Sequence, residues 1–162
     1  MQPKKLIIGI TAEGSVNLLL GQLKYFKSLG YKTYVMGPLS ERSAAFCKNE
    51  DCEHLIIDIE REISPIKDLK TLFQIRNIFK EVQPDIINFG TPKVSLLGMI
   101  AGKMVGVKKR IYTCRGFRFE HETGMKRRIL IAMEKITSSL AHKVICISNS
   151  VLELGVKHNI FK

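Results

Sequence analysis

The sequence predicts an α/β protein whose core is an open parallel sheet of about six to seven strands with helices on both faces. Short β-branched and apolar runs alternate with longer segments of helical periodicity. Runs such as Ile86-Ile87 and Val144-Ile145 are apolar on successive residues, which is typical of parallel strands buried on both faces. Right-handed crossovers between such strands give a doubly wound, Rossmann-like domain. No repeat or linker divides residues 1–162, so we expect one domain.

The predicted elements follow one another as strand and helix. We predict strands at 6–10, 32–36, 54–57, 85–89, 109–113 and 143–147. We expect those at 6–10, 85–89, 109–113 and 143–147 to be the central strands. Helices are predicted at 16–29, 41–48, 68–82, 93–105 and 125–140, and a last short helix follows Ser148-Asn149-Ser150. Gly30 and Pro84 follow two of these helices as stop signals.

The composition restricts the function classes. Apolar residues make up 45% of the chain and charged residues 25%, which excludes a disordered or collagen-like protein. No apolar run approaches the roughly 20 residues of a membrane-spanning helix. The net charge of +11 indicates an acidic partner: nucleic acid, an anionic membrane surface or a phosphorylated substrate.

The four cysteines carry no metal-site signature. Cys47, Cys52, Cys114 and Cys146 form no CxxC pair. Cys47 and Cys52 could share a metal with His54, but unpaired cytosolic thiols are the favoured interpretation.

Ligands of such sheets bind beyond the carboxyl ends of the strands, which singles out four loops. They are residues 11–15, 90–93, 114–122 and 148–150. Gly14 in the first loop either forms a tight turn or lets an anion approach helix N–H groups. The GxGxxG fingerprint is missing and Gly37-Pro38 replaces the ribose-binding acid, which disfavours a dinucleotide-binding oxidoreductase.

The loop after the fifth strand is rich in arginine and aromatic residues. Arg115 directly follows the strand, where an arginine fork suits phosphate oxygens. Phe117 and Phe119 either form an apolar surface beside the charge or pack into the core. His121, between two glutamates, is either an acid–base group or, more often in such a context, a loop histidine. The run 126–128 is interpreted as a solvated basic helix start.

Four segments resemble family 4 glycosyltransferases of the bacterial capsule and lipopolysaccharide type. They are PDIINFGTPKVSLLG (84–98), RIYTCRGFRFE (110–120), REISPIKDL (61–69), and EK (134–135) with AHKVICIS (141–148). The resemblance extends over nearly the whole chain. It implies the N-terminal, acceptor-side half of a GT-B fold, without the C-terminal nucleotide-sugar domain, and therefore no turnover by residues 1–162 alone.

The resemblance also implies site residues and a reaction. It places Gly14 and Ser15 near the donor diphosphate and acceptor, Thr91 and Lys93 toward the acceptor, and Ser148 at the cleft. Arg115 stands where many relatives have a histidine and is the candidate catalytic residue, with Arg118 and Glu120 as nearby candidates for substrate binding. The implied reaction transfers a sugar from a nucleotide-sugar such as a UDP-sugar, retains anomeric configuration, and uses no metal or cofactor.

The implied acceptor is a saccharide on a polyprenyl diphosphate in bacterial surface polysaccharide synthesis. We therefore expect a cytoplasmic protein, peripheral at the inner face of the plasma membrane, whose positive charge is attracted to anionic headgroups. The alternative is a basic α/β nucleic-acid-binding module. No RNP, KH or helix-turn-helix signature supports it, so we expect no nucleic-acid partner.

Overall fold

The computed structural model describes residues 2–60 and 62–161, and within them six parallel strands form one sheet. Arg61, which begins one of the resembling segments, lies outside the described residues, as do Met1 and Lys162. The strand order is β3-β2-β1-β4-β5-β6. The strands are β1 (Lys5–Gly9), β2 (Lys32–Gly37), β3 (Glu53–Ile56), β4 (Ile86–Phe89), β5 (Lys109–Cys114) and β6 (Lys143–Cys146).

Helices cover both faces of the sheet, as predicted. The α-helices are α1 (Gln22–Ser28), α2 (Glu41–Glu50), α3 (Pro65–Val82), α4 (Pro92–Met104), α5 (Gly124–Leu140) and α6 (Asn149–Lys157). One apolar core joins the sheet to α3, α4 and α5 through residues such as Ile75, Val94 and Leu130. A second core on the other face joins β1 and β2 to α1 and α2 through residues such as Leu23 and Phe46. The predicted Rossmann-like fold is therefore confirmed.

Helix α4 packs unusually close to the sheet because glycines face β4. A Cβ atom on Gly98 would lie 1.7 Å from Cε2 of Phe89, and one on Gly102 would lie 2.6 Å from Cδ1 of Ile87. Both side chains of β4 are fully buried. The close packing fixes the N-terminus of α4 against the carboxyl end of β4.

The helix predicted at 16–29 is wrong as a single element. The structure has a 3₁₀ helix over Glu13–Leu19 and a separate α1, Gln22–Ser28. Gly21 between them has a φ of 76°, a left-handed conformation that a continuous right-handed helix cannot contain. Because the apolar periodicity continues across this break, the sequence pattern alone does not reveal the break.

The prediction that 143–147 is a central strand is also wrong. Strand β6 lies at the edge of the sheet and, among the described residues, pairs only with β5. Lys143 and Ile145 are exposed, while Val144 and Cys146 are half-buried. An edge strand lacks a second neighbour, so its apolar sequence does not imply burial on both faces.

Candidate functional site: a cleft at the carboxyl ends of the strands

The cleft lies where β1 and β4 end, at the point where the strand order reverses. It has a volume of about 480 Å³. The loop after β1 forms one side, with Thr11, Gly14 and Ser15, and Thr91 at the start of α4 lies beside it. Such a switch point is where open α/β sheets bind ligands. The structure therefore brings the first and second predicted loops together.

A hydrogen bond between hydroxyl groups joins these two loops. Oγ1 of Thr11 lies 2.7 Å from Oγ1 of Thr91, and the Val94 N–H donates to Thr11 Oγ1 at 3.3 Å. The cleft thus meets the N-terminus of the thirteen-residue helix α4, where the helix dipole favours an anion. Thr11 was not among the predicted site residues, because a single threonine after a strand carries no specific signal.

Gly14 faces open space. Its φ is not positive, and a Cβ atom built there would meet nothing within 4 Å. Gly14 lies in a tight turn, as one of the two interpretations expected, but the turn does not require glycine at this position. Ser15, the next residue, donates its N–H to the Ala12 carbonyl at 2.9 Å, so that N–H is already used within the turn.

Lys93 lines the cleft, but its ammonium group is held in an ion pair. The residue is 5% exposed, and Nζ lies 2.7 Å from Oδ1 of Asp68. Nζ also donates to the carbonyl of Glu62, and Asp68 Oδ2 accepts from the Ser64 N–H at 3.1 Å. Lys93 thereby anchors the segment before α3 at the edge of the cleft.

Arg118 anchors the same segment through the side chain of Glu62. It lies in a short 3₁₀ helix, Arg118–His121, and its Nη2 atom is 2.6 Å from Oε1 of Glu62. These contacts place Ile63 on the cleft wall, while His121 from the same 3₁₀ helix also lines the cleft. Asp68, Glu62 and Ile63 were missed as site residues because their partners lie far away in the sequence.

Arg115 lies beside the cleft rather than in its lining. A Cβ atom on Gly90 would be 1.5 Å from Nη1 of Arg115, so the guanidinium packs against the loop after β4. Burial lowers its pKa from the ordinary value. Within residues 2–60 and 62–161, no carboxylate forms an ion pair with it: Glu120 accepts from the Phe117 N–H, and Glu122 pairs with Lys126.

Phe117 and Phe119 are core residues and not an exposed apolar surface. They are 4% and 1% exposed, and their rings stack with centroids 4.9 Å apart. The His158 ring contacts Phe119 edge-on at 5.0 Å, and the Arg127 guanidinium lies 5.4 Å from the Phe119 ring centroid. The alternation of phenylalanine and arginine therefore reflects packing.

Besides Arg115, two further predicted site residues do not line this cleft. Glu120 is exposed, and its carboxylate is held by the loop. Ser148 is exposed at the start of α6, where its Oγ accepts from the Val151 N–H at 3.3 Å. For Cys47, Cys52 and His54, the part of the chain that the structure describes contains no metal-binding cluster of three or more ligands.

Helix α5, which contributes to the cleft lining, also carries a buried carboxyl. Glu134 Oε2 accepts a hydrogen bond of 2.6 Å from the Tyr112 hydroxyl. Burial raises the pKa of Glu134 to about 7, although the bond from Tyr112 opposes this shift. Leu130 and Met133 of the same helix line the cleft, so this buried contact fixes the helix that forms the cleft floor.

A larger hollow of about 660 Å³ lies at the opposite, amino end of the sheet. Gln83 and Val105, the C-terminal caps of α3 and α4, line it. Helix C-termini carry partial negative charge, and this edge has no strand carboxyl ends. The smaller cleft is therefore the better candidate site for an anionic ligand.

A parallel α/β sheet with this cleft at its switch point defines a Rossmann-like ligand-binding domain. The chain belongs to the glycosyl transferase 4-like family, whose model matches residues 11–148. The family predicted from the sequence segments is therefore confirmed.

Individual relatives agree with this family. Over all 162 residues, the chain is 30% identical to the capsular polysaccharide biosynthesis glycosyltransferase CapM of Staphylococcus aureus and covers 42% of that protein. It is 30% identical over 98 residues, 60% of the chain, to UDP-Gal:α-D-GlcNAc-diphosphoundecaprenol α-1,3-galactosyltransferase of Escherichia coli, and covers 25% of that protein. The chain thus spans less than half the length of these relatives.

A solved structure shares the fold. The whole chain superposes on 41% of a glycosyltransferase from Rickettsia africae with a TM-score of 0.75 and 17% sequence identity.

Proposed function

We propose that this chain is the N-terminal, acceptor-side domain of a glycosyltransferase of bacterial surface polysaccharide synthesis. The longer protein transfers a sugar from a UDP-sugar to a saccharide on a polyprenyl diphosphate. It acts at the inner face of the plasma membrane, retains anomeric configuration and needs no metal. The functions of the Staphylococcus aureus and Escherichia coli relatives support this reaction class.

The cleft is the observation that carries the proposal. Thr11 and Thr91 line the cleft, and their hydroxyls are hydrogen-bonded to each other beside the N-terminus of α4. Leu130 and Met133 supply an apolar floor. Hydroxyls suit a saccharide, the helix N-terminus suits the diphosphate, and the apolar floor suits the first prenyl units.

The ion pairs around the cleft support a positioning role for Lys93 and Arg118. Lys93 and Arg118 hold the segment 62–64 and thereby shape the wall at Ile63. The half-buried Arg115 beside the loop after β4 supplies a fixed positive charge near the strand ends. A charge of that kind stabilises a diphosphate leaving group as negative charge develops on it.

Transfer by the longer protein tests the proposal. The assay measures labelled sugar passing from a set of UDP-sugars to a short-chain polyprenyl diphosphate saccharide, with and without EDTA, and NMR identifies the product anomer. We expect transfer by the longer protein and none by residues 1–162. Turnover by residues 1–162 alone, or no transfer by the longer protein to any diphosphate-linked acceptor, would overturn the proposal.

A threonine variant connects the activity to the cleft. Thr91→Val removes the hydroxyl that contacts Thr11 and is expected to raise the KM for the acceptor. Thr33→Val is the matched control, because Thr33 is buried in β2 and its hydroxyl has no partner among the described residues. Equal KM values for the two variants would remove Thr91 from the site.

A further inference from the structure

None of the helices that the structure describes is long and apolar enough to cross a membrane, and four of them end in the same kind of turn. In this turn, a Schellman motif, the chain takes a left-handed conformation just after the helix. The following N–H then bonds back to the carbonyl five residues earlier, which brings the two positions together. The bonded pairs are Tyr31 with Phe26 in α1, Cys52 with Cys47 in α2, Val107 with Gly102 in α4, and Ile160 with Gly155 in α6.

Helix α1 shows the usual result of this turn, which is an apolar contact at the end of the helix. Gly30 has a φ of 85°, and the Tyr31 N–H donates to the Phe26 carbonyl at 3.1 Å. The rings of Phe26 and Tyr31 pack edge to face, with centroids 6.1 Å apart. The turn therefore does bring the two side chains into contact in this chain.

Helix α2 has thiols at the same two positions. Asp51 has a φ of 55°, and the Cys52 N–H donates to the Cys47 carbonyl at 3.1 Å. The two thiols are hydrogen-bonded to each other, and this bond lowers the pKa of Cys47 and raises the pKa of Cys52. Cys47 is buried in the core beneath α1 and α2, and Cys52 is half-buried at the edge of that core. The two sulphur atoms therefore lie against each other, and one residue of the pair is reachable from solvent.

The other two cysteines are neighbours without this contact. Cys114 and Cys146 are register partners on the adjacent parallel strands β5 and β6. Such strands lie about 4.7–4.9 Å apart, which exceeds the usual Cβ separation in a disulfide of about 3.8 Å. The fully buried Cys114 thiol donates to the Gly116 carbonyl at 3.9 Å, and burial raises its pKa to about 11. We therefore expect no disulfide between these two strands.

We propose that Cys47 and Cys52 are a reversible disulfide site that fixes the C-terminal end of α2, with hydrogen peroxide as the oxidant. One sulphur attacks an oxygen of the peroxide, the O–O bond breaks, and the thiol proton leaves with the displaced hydroxide as water. The other sulphur attacks the resulting sulfenic acid and forms the S–S bond, and its proton leaves with the sulfenic hydroxide as a second water. The two thiols lose two electrons to the peroxide, and a dithiol reductant restores them.

The disulfide acts on the first loop of the cleft through Glu50, which lies between the two cysteines in the sequence. Glu50 is 2% exposed, and its carboxylate accepts hydrogen bonds from the Gly21 N–H at 2.9 Å and the Lys24 N–H at 3.3 Å. These bonds hold the start of α1, and the 3₁₀ helix just before it carries Gly14 and Ser15 of the cleft. A closed disulfide keeps the last turn of α2 from opening, so that Glu50 keeps both bonds.

Oxidation of residues 1–162 with stoichiometric hydrogen peroxide tests the site. We expect an intact mass lower by two hydrogen atoms, a disulfide mapped to Cys47 and Cys52, and full recovery with dithiothreitol. By loop entropy, closing this six-residue loop raises Tm by about 4–9 °C relative to the reduced protein. A disulfide between Cys114 and Cys146, a disulfide-linked dimer, or an unchanged mass would overturn the proposal. A lower Tm after oxidation would also overturn it, because the bond would then strain the folded chain.

Serine variants assign the effect to this pair of thiols. Cys52→Ser is expected to lose both the change in mass and the rise in Tm. Cys146→Ser is the matched control, because Cys146 is also half-buried, and it is expected to keep both. Equal responses of the two variants would overturn the proposal. If Cys52→Ser unfolds, alkylation of the oxidised, denatured wild type replaces it: Cys114 and Cys146 should react, and reaction of Cys47 or Cys52 would overturn the proposal.

Amide hydrogen exchange tests the link from the disulfide to the first loop. We expect the Gly21 and Lys24 amides to exchange up to about 40-fold more slowly in the oxidised chain than in the reduced chain. The Val107 and Ile160 amides, in the corresponding turns of α4 and α6, are the controls and should exchange equally in both forms. Equal exchange of the Gly21 and Lys24 amides in the two forms would overturn the action of the disulfide on this loop.

Discussion

The buried carboxyl of Glu134 makes the stability of this fold depend on pH. Its side chain is 5% exposed, and burial raises its pKa from 4.5 to about 7. Because the folded chain keeps this proton where the unfolded chain loses it, the stabilising contribution is complete below the unfolded pKa. It is lost as the pH rises through about 7.

The size of this loss follows from the shift in pKa. A shift from 4.5 to about 7 corresponds to about 3 kcal/mol. For a chain of this length, a change of 1 kcal/mol in the free energy of unfolding shifts Tm by about 2–4 °C. The shift in pKa therefore corresponds to a change in Tm of about 6–12 °C. Glu134→Gln stays neutral at every pH and can still accept the hydrogen bond from Tyr112. We therefore expect the Tm of the variant to gain about 6–12 °C on the wild type between about pH 4.5 and pH 8.

Thermal unfolding of both proteins across this pH range measures the effect. Glu153→Gln in α6 is the control, because Glu153 is exposed. We expect the difference in Tm between this variant and the wild type to be independent of pH. If the difference in Tm between Glu134→Gln and the wild type were the same at every pH, the reasoning would be refuted. The carboxyl would then ionise equally in the folded and unfolded states.

Three further variants test the packing and the site. Lys93→Met leaves the carboxylate of Asp68 without its cation and is expected to lower the free energy of unfolding by about 3 kcal/mol. Adding Asp68→Asn to the same chain should recover part of this loss. If calorimetry showed that the losses of the two single variants simply add, the ion pair would be contradicted. Gly98→Ala forces a methyl group against Phe89 and should cost about 1–3 kcal/mol, while Gly14→Ala should change Tm little; equal melting temperatures would contradict the close packing. In the longer protein, Arg115→Ala should lower kcat with little change in Tm, and an unchanged kcat in the folded variant would remove Arg115 from catalysis.

The order of strands and helices could be predicted from the sequence because each buried strand has its own apolar run. The break in the helix at Gly21 could not, since Leu19 and Leu23 continue one apolar period across it. The edge position of β6 was equally hidden, because Val144 and Ile145 look the same in a central strand and in an edge strand.

The sequence predicted those site residues that lie in the loops after the strands. Gly14, Ser15 and Thr91 follow β1 and β4, and they do lie around one cleft. The ion pair of Lys93 with Asp68 joins residues 25 positions apart on two helices, and no local pattern indicates it. The basic residues are similarly scattered along the chain, and α3, α4 and α5 together carry ten of the 26.

Amide chemical shifts of the labelled chain test the central claim that the cleft at the carboxyl ends of the strands binds the acceptor. Residues 1–162 are titrated with a short-chain polyprenyl diphosphate saccharide that does not form micelles at the concentrations used. We predict saturable shifts concentrated at Gly14, Ser15 and Thr91. Shifts confined to the amino-end hollow around Lys4 and Lys108, or no shifts at saturating ligand, would contradict the account.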